Sequence, residues 1–441
     1  MKYKVPHYIQ AILDILNHAQ EEAFLVGGCV RDMFLHRPIH DYDITTSMPP
    51  EDVMKLFQQK NYMVIQTGII HGTVTVIVEQ HLVEITTYRI ELSYQNHRTP
   101  SQIIYTKCLE DDLKRRDFTI NAIAYHPNIG YVDPYQGLKD IKEQSIRCVE
   151  DANQRFQEDS LRILRALRFS CTLSFHIEDS TAKAIQNHAH LLQHISRERI
   201  RNEFSKILTA KKQYLLTFLK DHNVLYYLLP DIHILYPNTK QFSNCFQNIF
   251  SQTDNILNHA QQEPLTTKLA LILYPYCTLL SKYHKDTLSL NNICKDILKK
   301  MKYDKKTILH VCTLLTFYNY LITTQKYSLR RFLSDLEHNI DIAFQILRMR
   351  QCILSVNQIN TIEIENVSQA MSLLKAMIRD KDYIKKKELQ INGHDLIQLG
   401  YQGQNIGILL QYAYEQVLED PSLNTKYHLL SIIQKYQKNE S

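Results

Sequence analysis

The chain has 441 residues and a formal net charge of +5, so it is long enough for roughly two to four domains, and its mild basicity permits an anionic partner without requiring one. Its nine cysteines include no Cys-x-x-Cys pair, which argues against a disulfide framework or a structural zinc site and favours the reduced cysteines of a cytoplasmic protein. No window approaches the roughly 18 apolar residues that a membrane span needs.

The segments of the first third alternate between strand and helix patterns. The start, MKYKVPHYIQAILDIL, is expected to be an amphipathic helix rather than a signal peptide. The elements predicted after it are a strand AFLVGG (23–28), a helix CVRDMFLH (29–36), a strand HDYDITT (40–46), a helix MPPEDVMKLFQQ (48–59) and strands YMVIQTG (62–68), GTVTVIVE (72–79) and LVEITTYRI (82–90).

Glycine use separates this first part from the rest of the chain. Six of the ten glycines lie at or before Gly137, and the next one is Gly393. Glycine serves turns with positive φ and close backbone approaches, so the long stretch without it predicts helices joined by short polar loops. We therefore predict an α/β head with a mixed sheet of about five strands, followed by an all-α remainder.

Two aspartates, Asp41 and Asp43, stand two residues apart in HDYDITT. Residues i and i+2 of a strand project to the same face, and two like charges this close repel each other unless a cation lies between them. Mg²⁺ takes oxygen ligands and bridges protein carboxylates to substrate phosphates, so the pair predicts a magnesium site; a solvated loop is the alternative. Glu84 could be a third ligand, or an exposed strand residue bonded to Arg89.

The Gly-Gly turn before this strand admits a phosphate group. Backbone N–H groups near Gly28, at a helix N-terminus, could cradle a triphosphate, and Arg31 lies one helical turn further on. The alternative is an ordinary turn between a strand and a helix. The combination of GGxVRD with a following DxD is much less common than Gly-Gly alone, and it favours the phosphate interpretation.

Four segments carry a family resemblance: LVGGCVRD (25–32), HDYDITT (40–46), RRDFTINAIAY (115–125) and RFQEDSLRILRALRF (155–169). In this order they resemble class II tRNA nucleotidyltransferases of the polymerase-β-like superfamily, in particular bacterial CCA-adding enzymes of the Bacillus type. ISRERIRNEFSKIL (195–208) and INGHDLIQLG (391–400) resemble further motifs of that family. The resemblance implies an α/β nucleotidyltransferase head with an all-α neck, body and tail. It also implies the stepwise addition of C, C and A to tRNA from CTP and ATP, by two-metal transfer with Mg²⁺.

The segment RRDFTINAIAY suits a triphosphate, because arginine forks bind phosphate through two hydrogen bonds. The resemblance implies that Arg116 contacts the incoming nucleotide. Asn121 could bond the ribose or a phosphate, and Asp117 could orient an arginine. A basic pair capping a helix is the alternative.

In EDSLRILRALRF, Asp159 and Arg162 lie one helical turn apart. The functional interpretation is a base reader made of protein: arginine donates and aspartate accepts, which suits the pairing edges of cytosine and adenine but not of uracil or guanine. The alternative is a helix with an Asp159–Arg162 ion pair. The resemblance implies the template role for these two residues and places Arg165 and Arg168 near the nucleotide, while Glu158 is expected to brace Arg162.

The predicted domains are a head (1–149), a neck with the template helix (150–215), a body (216–330) and a tail (331–441). The helical parts are expected to bind the acceptor arm and TΨC stem of tRNA by shape. In the tail, Lys385, Lys386 and Lys387 form a candidate RNA-binding patch, although a lysine run is often only a solvated face.

Four other functions remain open. A bacterial poly(A) polymerase would share the catalytic motifs, but that group usually has a GRRF-like stretch where this chain reads TGIIHGTVTV (67–76). A CC-only enzyme would lack a loop after the DxD strand, and residues 89–111 are expected to be a mobile loop that reshapes the pocket for adenine; an A-only enzyme could retain that loop. A non-catalytic RNA-binding protein is disfavoured by the intact Asp41, Asp43, Arg116, Asp159 and Arg162.

Overall fold

The structure is a computed structural model, and it describes residues 3–95, 99–229, 240–283, 289–357 and 361–440. The chain divides into two compact units, Met1–Ser243 with Lys300–Lys302 and Asn244–Lys299 with Tyr303–Ser441. Within the described ranges, no helix is both long enough and apolar enough to cross a membrane.

The strands of the described residues all lie in the first unit. In chain order they are β1 Ala23–Val26, β2 Asp43–Thr46, β3 Met63–Gly68, β4 Thr73–Val78, β5 His81–Thr87, β6 Arg89–Gln95, β7 Thr99–Tyr105, β8 Ala124–His126, β9 Gly130–Val132, β10 Ser145–Ile146 and β11 His176–Ile177. Within the described residues, seven of them form one mixed sheet in the order β3-β4-β5-β2-β1-β8-β9, and β6–β7 and β10–β11 form two further pairs.

The predicted α/β head is confirmed, with a larger sheet than the five strands expected. The extra strands β8 and β9 have three residues each, too short to show an alternating pattern. The predicted loop at 89–111 is wrong in its first part, because β6 and β7 pair as an antiparallel hairpin from Arg89↔Tyr105 to Gln95↔Thr99. Residues 96–98 of that segment lie outside the described part of the chain.

The pairing in the middle of the sheet brings the acidic residues of two strands together. Strand β2 runs antiparallel to β1, with Leu25 opposite Ile44, and parallel to β5, with Asp43 beside Glu84. The hairpin between β4 and β5 turns at Glu79 and Gln80, whose φ values of 49° and 70° are both left-handed, as a tight two-residue hairpin requires. This turn fixes the register between β4 and β5, which places Thr75 opposite Glu84.

Helices cover the sheet and complete the first unit. They are α1 His7–His18, α2 Gly28–Phe34, α3 Pro50–Gln59, α4 Leu109–Lys114, α5 Gly137–Lys142, α6 Ala152–Glu158, α7 Leu161–Leu173, α8 Asp179–His188, α9 Arg197–Thr209, α10 Leu215–Asp221 and α11 Leu225–Leu228. The predicted amphipathic helix at the start of the chain is confirmed as α1, whose Ile9, Ile12, Leu13 and Leu16 are buried. Helix α3 begins at Pro50, a favoured first helical residue because its missing N–H would have no partner there.

Among the described residues, the rest of the chain is built from helices, as the scarcity of glycine predicts. They are α12 Lys240–His259, α13 Leu265–Tyr283, α14 Leu290–Lys300, α15 Lys305–Phe317, α16 Lys326–Asp335, α17 Ile340–Asn357, α18 Thr361–Arg379, α19 Gly393–Gln398, α20 Gln404–Glu419 and α21 Lys426–Glu440. The last three pack around an apolar cluster that includes Leu396, Leu409, Val417 and Leu429.

Candidate active site

Two carboxylates on neighbouring strands lie at the start of β2, and a third residue, Asp41, lies just before it. Asp43 opens this strand and Glu84 is its partner on β5, so both side chains project to the same face of the sheet. Asp41 lies before the strand, not within it, which corrects the expectation of one strand face. The reason is that the ladder between β1 and β2 ends at Ile44.

Electrostatics show that these carboxylates interact. Burial raises the pKa of Asp43; Arg116 opposes that rise, while the charges of Glu84 and Asp41 add to it. Glu84 is an exposed strand residue, as its alternative expects, but it does not bond Arg89, whose Nε donates to Glu91 at 2.9 Å.

The donor set fits a magnesium ion that is completed by substrate. Within the described ranges, no three His, Cys, Asp or Glu side chains are close enough together to hold a metal ion on their own. Mg²⁺ typically uses only one or two carboxylates and takes its remaining oxygens from water and substrate phosphates. Asp41 and Asp43 supply two carboxylates, and their mutual repulsion is the cost that a cation removes.

Arg116 lies between these carboxylates and the glycine turn. Its Nη2 donates to Asp112 at 3.1 Å, and its Nε is buried with no hydrogen-bond partner among the described residues. Asp112 is fully buried and also accepts from Arg115 Nη2 at 2.7 Å. Burial alone would raise the pKa of Asp112, but Arg115 and Arg116 hold it below its usual value. Arg116 is therefore fixed with donor capacity left over, as an anion-binding residue needs.

Gly27, rather than Gly28, is the position where the turn requires glycine. Its φ of +80° is left-handed, and a Cβ there would lie 3.2 Å from Arg116 Nη1 and 4.0 Å from Asp43 Oδ2. A Cβ on Gly28 would meet only Arg31 Nη2, at an ordinary 3.7 Å. Because residue 27 has no side chain, the backbone can pass close to Asp43 and Arg116.

A buried chain of hydrogen bonds joins three of the predicted nucleotide contacts. Arg31 Nη1 donates to Asn121 Oδ1 at 2.8 Å, Asn121 Nδ2 donates to Asp117 Oδ1 at 3.1 Å, and Arg165 Nε donates to Asp117 Oδ2 at 2.7 Å. Burial alone would raise the pKa of Asp117, but Arg165 and Asn121 hold it at about 2. The expectation that Asp117 orients an arginine is confirmed, and that arginine is Arg165.

Arginines also surround the ring of Phe169. The guanidinium carbons of Arg168, Arg31 and Arg165 lie 4.1, 5.1 and 5.7 Å from the ring centroid, within reach of a cation–π attraction. Arg168 Nε also donates to Glu203 at 2.6 Å. Three predicted nucleotide contacts, Arg31 on α2 and Arg165 and Arg168 on α7, therefore pack against the same aromatic ring.

The two predicted template residues have different partners. Arg162 Nη1 donates to Glu158 at 2.7 Å and Nη2 to the Arg115 carbonyl at 2.9 Å, so the bracing role of Glu158 is confirmed. Asp159 instead accepts from Arg199 Nη2 at 3.0 Å.

Sequence reasoning missed the partners Arg199, Glu203 and Asp112. Arg199 and Glu203 lie 40 and 35 residues from the residues they bind, so no helical spacing could indicate them. Asp112 could have been identified from the sequence, because it lies four residues before Arg116, a spacing typical of helical ion pairs.

The lysine patch lies in the second unit, at a short helical turn that contains Lys386 and Lys387. Both side chains are exposed, and Lys386 Nζ donates to Gln411 at 2.7 Å. Lys385 is half-buried. The structure thus places the patch at the surface and leaves its RNA contact as a prediction.

Three sequence families match separate parts of the chain. The Poly A polymerase head domain matches residues 23–147, the probable RNA and SrmB-binding site of polymerase A matches residues 174–235, and the tRNA nucleotidyltransferase domain 2 matches residues 286–433. The first match contains the carboxylates and Arg116.

Curated relatives include the CCA-adding enzyme of Lactobacillus delbrueckii subsp. bulgaricus, 47% identical over 216 residues, which are 48% of this chain and 54% of that protein. The CCA-adding enzyme of Streptococcus uberis is 44% identical over 229 residues, 51% of this chain and 56% of that protein. The matched region thus spans about half the length of these relatives.

Solved structures extend the likeness over nearly the whole chain. The crystal structure of the Bacillus stearothermophilus CCA-adding enzyme in complex with CTP covers 98% of both chains with a TM-score of 0.74 and 26% identity. A Thermotoga maritima CCA-adding enzyme complexed with tRNA covers 98% of this chain and 96% of its own, with a TM-score of 0.59 and 18% identity, which shows a shared fold. The first part of the chain is therefore similar to the Poly A polymerase head domain, and nearly the whole chain is similar in fold to bacterial CCA-adding enzymes.

Proposed function

We propose that this chain adds C, C and A in sequence to the 3′ end of tRNA, using CTP and ATP. The observation that carries the proposal is the braced pair Asp159 and Arg162 on the same unit as the carboxylates at Asp41 and Asp43. A carboxylate acceptor beside a guanidinium donor suits cytosine and adenine and opposes uracil and guanine. The CTP bound to the Bacillus stearothermophilus relative and the tRNA bound to the Thermotoga maritima relative are consistent with these substrates.

Asp41 and Asp43 would hold Mg²⁺, with Glu84 as a candidate third ligand. When bound, one ion lowers the pKa of the attacking 3′-hydroxyl and a second stabilises the leaving pyrophosphate. The same carboxylates repel a triphosphate that arrives without cations, so the site favours the metal-bound nucleotide.

The triphosphate would be held by the arginines described above. Arg116, whose Nη1 lies beside the Gly27 turn, would offer hydrogen bonds to a phosphate oxygen there. Arg31, Arg165 and Arg168 are fixed by Asp32, Asp117 and Glu203 respectively. Because these carboxylates fix the guanidinium groups before the nucleotide arrives, little side-chain entropy is lost on binding.

Base selection is assigned to Asp159 and Arg162. Cytosine and adenine both place an acceptor toward arginine and an amino donor toward aspartate, whereas uracil and guanine reverse these groups. Each mismatched polar group costs about 1–3 kcal/mol, so two give roughly a hundredfold discrimination or more.

The division into head (1–149), neck (150–215), body (216–330) and tail (331–441) is also part of the proposal, with the helical parts binding the acceptor arm and TΨC stem. The matches at residues 174–235 and 286–433 to an RNA-binding family and a tRNA nucleotidyltransferase family support that assignment. A tRNA substrate and unpaired cysteines in the described residues agree with a cytoplasmic location.

The alternatives make different products. A poly(A) polymerase would extend many RNAs with adenosine, an A-only enzyme would act only on tRNA ending in CC, and a CC-only enzyme would stop after two cytidines. Incubating the purified chain with CTP and ATP, each alone and together, separates these activities. The RNAs required are tRNAs ending before C, after C and after CC, together with an unrelated RNA. The proposal requires C addition to the first two tRNAs, A addition to the third, and no tailing of the unrelated RNA.

A further inference from the structure

The carboxylate of Asp159 is held from two sides. Its Oδ1 accepts the backbone N–H of Leu161 at 3.1 Å, at the start of α7. The guanidinium of Arg199, on α9, spans both oxygens, with Nη1 3.4 Å from Oδ1 and Nη2 3.0 Å from Oδ2. The side chains of Asp159 and Arg199 are 19% and 26% exposed, so a ligand can still reach this pair.

These contacts leave a defined number of free hydrogen-bond acceptor positions on the Asp159 carboxylate. An ionised carboxylate has about four lone-pair sites, two on each oxygen. The Leu161 N–H and Arg199 Nη1 occupy those of Oδ1, and Arg199 Nη2 occupies one of those on Oδ2. One acceptor position remains, on Oδ2, and Arg199 together with α7 fixes the direction in which it points.

We propose that Arg199 is a specificity-determining positioning residue for base selection, acting through Asp159. This inference rests on the proposed function. Arg199 holds Asp159 so that its one open acceptor meets the exocyclic amino group of cytosine or adenine. Arg199 itself does not touch the base.

The same restraint explains how uracil is rejected. Uracil presents a carbonyl where cytosine has its amino group and an N3–H beside it. With Arg199 in place, the Oδ2 lone pair meets that carbonyl and the two oxygens repel. Without Arg199, only the Leu161 N–H restrains the carboxylate, which can then turn about its Cβ–Cγ bond and accept the uracil N3–H. Loss of Arg199 therefore relaxes discrimination and does not simply reduce activity.

The test compares the kcat/KM of CTP with that of UTP on tRNA that lacks its CCA end. Arg199→Met removes the guanidinium while keeping most of the side-chain volume, and Arg199→Lys keeps the charge but loses the two-pronged contact. Arg201→Met is the matched control, because Arg201 lies on the same helix and binds Asn202 and the Lys302 carbonyl. The melting temperature of each variant reports on folding.

We expect the CTP/UTP ratio to fall by about 5- to 150-fold in Arg199→Met, the range for one lost polar discrimination. Arg199→Lys should give an intermediate ratio, and Arg201→Met should stay within about twofold of wild type. In an Asp159→Ala background, Arg199→Met should change the ratio little further, since both act through the same carboxylate.

Two results would overturn the inference. One is an Arg199→Met enzyme that loses activity equally with CTP and UTP, because the arginine would then serve folding alone. The other is a double variant, Arg199→Met with Asp159→Ala, in which the effects of the two substitutions on the CTP/UTP ratio are fully additive. A wild-type chain that adds neither C nor A to any tRNA would instead refute the proposed function, so the two failures are distinguishable.

Discussion

At the scale of single residues, three acid–arginine pairs of the site join partners that are distant in sequence. Asp41, Asp43, Asp159 and Arg162 could be singled out from the sequence because DxD and EDxxR have a short spacing and a chemical reason. Arg199 and Glu203 could not, because the contacts that recruit them arise only when α9 packs against α7. Propensity and periodicity indicate contacts between residues close in sequence, and not contacts between distant segments that pack together in the fold.

The carboxylate at residue 43 provides the most direct residue-scale prediction. Asp43→Asn keeps the side-chain shape but removes the charge that holds the metal, so C and A addition should both fall by about a thousandfold or more. Binding of tRNA should stay within about twofold of wild type. Single-turnover assays and a filter-binding titration measure the two effects, with Asp52→Asn on α3 as the control. A parallel loss of tRNA affinity would show that the two roles are not separate.

The buried pair of Asp117 and Arg165 gives a prediction for stability against pH. The pKa of Asp117 is about 2 in the folded chain, below its unfolded value of about 3.9. The pair therefore contributes its full stabilisation above the unfolded pKa and loses it as the pH falls toward 2. Asp117→Asn should cost about 2 kcal/mol of unfolding free energy at pH 7, and that cost should shrink between about pH 4 and pH 2. Urea denaturation of the wild type and of Asp117→Asn at pH 4 and at pH 2 measures this cost. A cost that is the same at both pH values would contradict the stabilising role of the ionised Asp117–Arg165 pair.

At the scale of elements, long patterned segments were predictable and short ones were not. Strand β4 has six β-branched residues in a row and β5 has four among its seven, with buried and less buried positions alternating along β4 and most of β5. Helix α7 repeats its leucines every third residue over its first two turns. Strands β8 and β9 have no such signal, and their pairing depends on the neighbouring strand β1. The sequence predicts a loop where the hairpin β6–β7 lies, because this segment is largely polar and includes Pro100, whereas its two strands pair along their length.

That hairpin is connected to the template by a short path. Glu91 on β6 contacts Arg115 Nη1 at 3.3 Å, and the Arg115 carbonyl accepts from Arg162 Nη2 at 2.9 Å. A movement of the hairpin can therefore reach Arg162, which must serve cytosine first and adenine last. Shortening the chain within residues 92–101 should spare C addition and reduce A addition by at least about tenfold, as gating segments do when they complete a site.

Primer-extension assays on tRNA ending before C, after C and after CC measure this effect. Glu91→Gln keeps the hairpin length but weakens the ion pair with Arg115. It should also reduce A addition relative to C addition, but less than the shortened hairpin does. An equal loss of all three additions would mean that the hairpin only supports the fold.

At the scale of the whole molecule, the sequence indicated an α/β head and a helical remainder, and both are present. It could not indicate the contacts of the second unit, where amphipathic helices of similar composition follow one another and many packing arrangements satisfy the same pattern. The features that depend on a folded surface, among them the lysine patch at 385–387, therefore need their own test.

Replacing Lys385, Lys386 and Lys387 by alanine should weaken tRNA binding without changing the CTP/UTP ratio. If each lysine neutralises one phosphate, the slope of log affinity against log salt should fall in magnitude by about 2 to 3. The paired control is Lys305→Ala with Lys306→Ala, two exposed lysines at the start of α15. An unchanged salt slope in the triple variant would show that the patch is only a solvated face.

The central claim is that this single chain builds a complete CCA end with Asp159 and Arg162 as its template. The most direct measurement is the mass of a tRNA lacking its 3′ CCA after incubation with the chain, CTP, ATP and Mg²⁺, with Asp43→Asn as the inactive control. We expect a gain equal to two cytidylates and one adenylate, followed by no further growth. Unextended tRNA, arrest after two cytidylates or continued addition of adenylate would contradict it.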